Sequence, residues 1–228
     1  MTSHKKISLI LVEDHAIVRQ GLRALLNADG NFDIVGEART GREAIELAQT
    51  QRPDVILMDI AMPVLNGMEA TRQILAANPA ARVIILSAHS DDVYVERMNE
   101  AGVVGFLEKQ TSAEVLTKAI REVAAGRTYF SPSIARRMQA EVDKPRSRDG
   151  NVKANRNQLT ARECEVLQLV AEGSANKQVA DILGISIKTV EKHRQHLMDK
   201  LNIHEIAGLT RYAIAAGVIE SRVQVTIV

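Results

Sequence analysis

The 228-residue sequence contains one cysteine, Cys164, so no intrachain disulfide can form. A single thiol is compatible with the cytoplasm, the compartment expected for this chain. No apolar run approaches the ~20 residues needed to span a bilayer, which argues against a membrane association. The opening MTSHKKISLILVED has basic residues and a short apolar run, Ile7 to Val12, that meets Glu13-Asp14 at once. It reads as a strand rather than a signal peptide. Internal repeats and low-complexity tracts are absent too. What remains, 46% hydrophobic and 25% charged residues, is the make-up of an ordinary globular chain.

The net charge of +1 conceals an asymmetry. Residues 1–126 hold 13 Lys/Arg against 17 Asp/Glu, a net of −4, and residues 127–228 hold 16 against 11, a net of +5. An acidic first half and a basic second half suggest two domains with different partners, the second meeting nucleic acid.

Short β-rich runs occur at Ser8–Val12, Asp33–Glu37, Val55–Asp59, Val83–Ser87 and Val104–Leu107. Stretches with helical spacing lie between them, marked by Ile17, Leu22, Leu25 and Leu26, then Ala44 to Ala48, then Met68, Ile74 and Leu75. Val93, Val95 and Met98 give a weaker pattern, and Val115, Leu116, Ile120 and Val123 a clear one. This alternation predicts an α/β fold with a doubly wound, five-stranded parallel sheet over residues 1–126. A linker follows over 127–158; YFSPSIARRM within it suits a short helix, and 141–158 is polar. From Leu159 the chain reads as all-α, giving a second domain over 159–228.

In doubly wound sheets, ligands sit at the carboxyl ends of the strands where the strand order reverses. Here the strand ends carry Glu13-Asp14, Asp59, Ser87 and, after the fifth strand, Lys109. Clustered carboxylates repel unless a cation joins them, and an oxygen ligand set without Cys or His favours Mg²⁺. Asp59 then suits a nucleophile that forms an acyl phosphate, with Ser87 and Lys109 holding the phosphoryl oxygens. Taken singly, the same residues have plainer readings. Asp14 could cap the helix beginning near His15, and Asp59 could make an Asx-type turn before Pro63. Ser87 could be a loop hydroxyl and Lys109 a solvated surface lysine. The convergence of all five favours the site.

VEDH at 12–15, DIAMPVLNG at 59–67, LSAH at 86–89 and GFLEK at 105–109 closely resemble bacterial response-regulator receiver domains. The resemblance implies a flavodoxin-like fold that accepts a phosphoryl group from a sensor histidine kinase. It implies Asp59 as phosphoacceptor, with Mg²⁺ held by Glu13, Asp14, Asp59 and the backbone carbonyl of Ala61. Ser87 and Lys109 would sense the phosphoryl group, with Phe106 at the switch-aromatic position. Ala61 and His89 would flank the path of water during slow self-dephosphorylation. The family often has a cis proline after the lysine, where this sequence has Gln110. A non-proline cis peptide costs ~2.5–4 kcal/mol, which leaves the geometry of that loop to the structure.

In the basic half, Leu159-Thr160 with Glu163 is a capping box opening a helix that ends at Gly173. A second helix over about Asn176–Leu183 stops at Gly184, and Ser186 caps a third over about Ile187–Leu201. Two helices joined by Gly-Ile-Ser, the second carrying Lys188, Lys192, Arg194 and Gln195, form a helix-turn-helix signature. The plainer reading is a helical bundle with a solvated basic face. Residues 159–217 resemble the four-helix LuxR-type DNA-binding domain, and a receiver joined to it resembles the NarL/FixJ group of response regulators. On that resemblance Glu191, Lys192 and Gln195 would face base edges of double-stranded DNA, and Lys177, Lys188, Thr189 and His193 would contact phosphates. A last helix from Glu205 to Ala216, carrying Ile206, Leu209 and Ile214, would form the contact of an active homodimer. A metal site at His193, His196 and His204 lacks further ligands, and Cys164 needs no function. The tail SRVQVTIV alternates like a strand.

The expected function is that of a two-component response regulator, not an enzyme, in which phosphorylation of Asp59 controls dimerisation and DNA binding. One rival is a DNA-binding regulator whose receiver only dimerises; the complete acid pocket argues against it. Another is a magnesium-dependent phosphohydrolase. That chemistry wants a second acid two residues after the nucleophile, where Ala61 stands.

Overall fold

The computed structural model describes residues 5–88, 101–132, 134–136 and 159–219, and the statements below concern these. His89, the helical pattern at Val93–Met98, the polar segment 141–158 and the tail from Ser221 lie outside them. The chain divides into two compact units, Met1–Pro145 and Arg146–Val228.

The first unit is built on six parallel strands: β1 (Ile7–Val12), β2 (Phe32–Ala38), β3 (Val55–Asp59), β4 (Val83–Ser87), β5 (Gly105–Glu108) and β6 (Tyr129–Phe130). Their order is β2-β1-β3-β4-β5-β6, so the chain reverses direction across the sheet between β1 and β3. The central strands β3 and β4 are buried at every residue, as continuous apolar runs in a parallel sheet require. Helices α1 (Ala16–Asp29), α2 (Gly41–Gln51), α3 (Gly67–Ala77) and α4 (Ala113–Ala124) cover the sheet. One face packs Ile10, Val12, Met58 and Ile85 with Ala44 of α2 and Ala70 and Ile74 of α3. The other packs Leu9, Leu11, Leu57 and Leu86 with Leu26 of α1 and Leu116, Ile120 and Val123 of α4.

The sixth strand departs from the five expected. The sequence suits residues 129–130 to a short helix with those that follow, yet they pair in parallel with Gly105 and Phe106. The Tyr129 N–H donates to the Val104 carbonyl at 3.0 Å and the Ser131 N–H to that of Phe106 at 3.3 Å. This return covers the β5 edge, which would otherwise present unpaired backbone groups. Two residues are too few for a period-2 pattern to register. The expected helix then begins at Pro132, and Ile134 within it is fully buried.

The second unit comprises α5 (Ala161–Ala171), α6 (Asn176–Leu183), α7 (Ile187–Leu201) and α8 (Ile206–Ala215). Thr160 and Glu163 close the capping box at its start. The first helix ends at Ala171, two residues before the expected Gly173, which turns the chain at φ 92°. Glu205 and Ala216, assigned to the last helix, are its caps. Val166, Leu167, Val170, Val179, Leu183, Val190, Leu197 and Leu209 form the core. The Arg162 guanidinium donates to the Leu183 carbonyl at 2.9 Å, tying α5 to the end of α6. No described helix is long and apolar enough to cross a membrane.

Candidate functional site

The reversal between β1 and β3 leaves a crevice at the carboxyl edge of the sheet, where such folds place ligands. Glu13 follows β1 and is 1% exposed; Asp59 ends β3 and is 1% exposed. Ser87 ends β4 and is equally buried, while Lys109 follows β5. The Lys109 Nζ lies 2.8 Å from Glu13 Oε2 and 2.9 Å from Asp59 Oδ2. Beyond that ammonium, neither carboxylate oxygen has a hydrogen-bond partner among the described residues. Both are buried, so the crevice concentrates negative charge that one lysine counters only in part.

Burial, reinforced by the Glu13 charge, pushes the Asp59 carboxyl up to about 6, against the opposing pull of Lys109 and the Ala61 N–H. Burial works against the charge on Lys109, but the Asp59 and Glu13 carboxylates outweigh it and raise its pKa.

His15 joins the cluster, which the sequence reading assigned to oxygen ligands alone. Its Nδ1 lies 2.8 Å from Asp14 Oδ1 and 3.1 Å from Glu13 Oε1. Glu13, Asp14, His15 and Asp59 each bring one ligand atom within 4.8 Å of the others. His15, not Asp14, occupies the N-cap position of α1, and its side chain makes no capping bond. The capping reading of Asp14 is therefore set aside. The adjacency of His15 to Asp14 in VEDH is the sequence signal for its place in the cluster.

The stretch after Asp59 is shaped by close backbone approach. A Cβ at Gly67 would fall 1.8 Å from the Asp59 carbonyl oxygen, so only glycine fits. The Gly67 N–H donates to the Ile60 carbonyl at 2.9 Å, and Asn66 caps α3 through the Glu69 N–H. Between them Val64 takes φ 71° in a γ-turn closed by Leu65 N–H to Pro63 carbonyl at 2.8 Å. A β-branched residue there carries strain of about 1–3 kcal/mol. Gly41 secures the loop by donating to the Leu65 carbonyl at 3.0 Å. The Lys109–Gln110 peptide is trans, in a turn closed by Thr111 N–H to Glu108 carbonyl at 3.0 Å.

Phe106 is fully buried in the same apolar cluster as Ile134 and Ile85. Ala61 sits beside the crevice, its N–H on the Asp59 carboxylate. His89 lies outside the described residues.

In the second unit α7 presents Lys188, Glu191, Lys192 and Gln195 as an exposed row at helical spacing. The Gln195 amide donates to Asp199 Oδ1 at 2.8 Å along that row. Lys177 is exposed on α6. Thr189 and His193 are half-buried; Thr189 Oγ1 meets Ser186 Oγ at 2.8 Å. Burial, with Arg162 nearby, lowers the His193 pKa. On α8, Ile206 and Ile214 are exposed and Leu209 is buried.

An acid crevice at the switch point of a doubly wound domain, on one chain with a helix-turn-helix unit, defines the class of two-component response regulators. The chain matches the response regulator receiver domain over residues 9–121 and the bacterial regulatory proteins, luxR family, over 157–213. It is 35% identical to the transcriptional regulatory protein DegU of Brevibacillus brevis over 214 residues, 89% of this chain and 91% of that one. It is 32% identical to the response regulator UvrY of Escherichia coli K12, over 92% of this chain and 95% of that one. Among solved structures, a LuxR-family two-component response regulator from Aurantimonas matches with a TM-score of 0.57 at 35% identity. That match covers 60% of this chain and 99% of the other. The chain belongs to the NarL/FixJ-type response regulators and controls transcription as one of them.

Proposed function

We propose that Asp59 receives a phosphoryl group from a partner sensor histidine kinase, and that this event governs DNA binding by α7. The buried Glu13 and Asp59 carboxylates, which share the single Lys109 ammonium at 2.8 and 2.9 Å, carry the reading, because two buried negative charges countered by one lysine call for a further cation and an incoming electrophile. Transfer forms an Asp59 O–P bond and breaks the P–N bond of the kinase phosphohistidine; the departing imidazole takes up a proton. Lys109, already against Asp59, pairs with the new phosphoryl oxygens, and Ser87 donates its hydroxyl to one of them. The phosphoryl group adds roughly −1.5 to −2 charges. Phe106 then repacks with its β5 surroundings, which biases a two-state domain.

The hard oxygens of the crevice fit Mg²⁺. Glu13, Asp14, Asp59 and the Ala61 carbonyl would hold it. Bound there, the ion would supply positive charge to the phosphoryl oxygens. Ala61, offering no acid side chain to a water, and His89 tune the slow loss of the phosphoryl group. The receiver and DNA-binding domains are joined through the segment after residue 126, and the chain works in the cytoplasm, where its DNA lies.

In the active form two copies associate through the exposed part of α8, around Ile206 and Ile214. Paired helix-turn-helix units then meet half-sites about one turn of DNA apart. Glu191, Lys192 and Gln195 address base edges, and Lys177, Lys188, Thr189 and His193 address phosphates. The test is labelling by acetyl phosphate with Mg²⁺: wild type acquires one phosphoryl group and Asp59→Ala none. Labelling that persists in the variant overturns the assignment.

A further inference from the structure

Arg19 has no part in the scheme above, yet it is 7% exposed. It stands on the apolar face of α1, three residues before Leu22 and seven before the buried Leu26. A buried guanidinium is unfavourable unless its donors are used. Its Nη1 donates to the Glu13 carbonyl at 2.7 Å and to the Asp14 carbonyl at 3.4 Å. Its Nε donates to Glu37 Oε2 at 3.2 Å. The two carbonyls belong to the two residues that bring acids from β1 into the crevice.

Glu37 reaches Arg19 because β2 is irregular. The register against β1 runs Leu9 to Ile34 and then Ile10 to Gly36, leaving Val35 as an extra residue. Side chains alternate along a strand, so one extra residue moves all later ones to the opposite face. Glu37 therefore stands opposite Leu11, on the face that α1 covers. In a regular strand it would point to the face covered by α2 and α3.

We propose that Arg19, held by Glu37, is a positioning residue for the divalent cation; the inference rests on the reading of the acid crevice given above. Three carboxylates within a few ångströms repel one another until a cation arrives. The loop carrying two of them has only Glu13, Asp14 and His15 between β1 and α1. Lys109 and His15 meet the acid side chains, and the Glu13 N–H is tied to the Ala38 carbonyl, but holding both acids turned inward also calls for an anchor on the loop's carbonyls. Arg19 supplies the anchor at both carbonyls, keeping the Glu13 and Asp14 side chains turned toward Asp59. A lysine could replace it only in part, having a point charge where two carbonyls and a carboxylate need a planar fork.

The test counts free Mn²⁺ by electron paramagnetic resonance in full-length protein, with Mg²⁺ as competitor and thermal melting alongside. Arg19→Met keeps the apolar stem and removes the fork. It is expected to weaken Mn²⁺ binding roughly tenfold, the usual effect of losing a partner behind a metal ligand. Acetyl-phosphate labelling at saturating Mg²⁺ is expected to stay within about twofold of wild type, because Asp59, Ser87 and Lys109 are untouched. Arg19→Lys restores part of the affinity. Glu37→Ala lowers it by a smaller factor. Arg23→Met, which removes only an exposed contact to Glu37 at 3.4 Å, leaves it unchanged.

Arg19→Met that melts like wild type and binds Mn²⁺ within about twofold of it overturns the proposal, since a positioning role must appear in affinity. If Arg19→Met does not fold, Glu37→Ala decides, and unchanged affinity there overturns it equally. A wild-type chain that binds no Mg²⁺-displaceable Mn²⁺ overturns the reading of the crevice and this inference with it. Normal wild-type binding with indifferent variants removes the role of Arg19 alone.

Discussion

Replacing Asp59 by Asn should make the first unit more stable at neutral pH. In the folded protein the Asp59 carboxyl titrates at about 6, against its ordinary value of 3.8. That gap corresponds to roughly 3 kcal/mol of unfavourable burial of the charged form, at 1.36 kcal/mol per pH unit. Part of the gain is returned because Lys109 loses one of its two carboxylates, keeping Glu13 Oε2 at 2.8 Å. A net stabilisation of about 1–3 kcal/mol is therefore expected, a rise of roughly 4–10 °C in melting temperature for a unit of this size. The pH dependence fixes the cause. A carboxyl whose folded pKa is raised binds more protons folded than unfolded between 3.8 and about 6, so wild-type stability falls as pH rises through that window. The advantage of Asp59→Asn should thus be full above pH ~6.5 and vanish below ~4. Scanning calorimetry of full-length wild type and variant at pH 4, 5, 6 and 7.5, without divalent ions, measures it. Adding Mg²⁺ should raise the melting temperature of wild type more than that of the variant. A variant no more stable than wild type at pH 7.5, or an advantage independent of pH, refutes the reasoning.

Gly67→Ala puts a Cβ 1.8 Å from the Asp59 carbonyl oxygen, and should destabilise the first unit by more than about 3 kcal/mol in urea melts. Glu163 has its carboxyl held low: burial opposes the charge, but Lys200 and the Thr160 backbone outweigh it. It should therefore stabilise the second unit above its ordinary 4.5, an increment lost as pH falls through the lowered value; Glu163→Gln should flatten that acid limb in circular dichroism. Lys188→Ala should weaken DNA binding about equally across sequences and reduce the salt slope by about 1. Lys192→Ala should cost about 1–3 kcal/mol at the operator and relax preference at one base position, read by competition binding.

Much of the first unit is legible in sequence because its central strands are buried on both faces. Val55–Asp59 and Val83–Ser87 fold over the residues that their apolar runs mark. The edges are less legible. β6 has two residues, and its pairing is decided by the exposed edge of β5 rather than by its own pattern. In the crevice, Glu13, Asp59, Ser87 and Lys109 stand at strand ends and could be found by position alone. Arg19 could not be: a charge among Ile17, Leu22 and Leu26 looks like a break in the apolar face until Glu37 is seen to meet it. The placement of Glu37 in turn depends on the extra residue at Val35, a register effect that one strand's sequence does not reveal. The glycines show the same limit. Gly67 stands in the sequence only as the end of a motif, whereas its necessity comes from the approach to the Asp59 carbonyl. In the second unit the caps are local, and Thr160, Gly184 and Ser186 mark the helix ends where the backbone places them.

The central claim is that a phosphoryl group on Asp59 controls where the second unit binds DNA. Genomic footprinting of wild type against Asp59→Ala, in cells with and without the activating signal, tests it most directly. The account predicts signal-dependent protection at a defined set of paired half-sites in wild type, and its loss in the variant. Equal protection in both, with or without the signal, would contradict it.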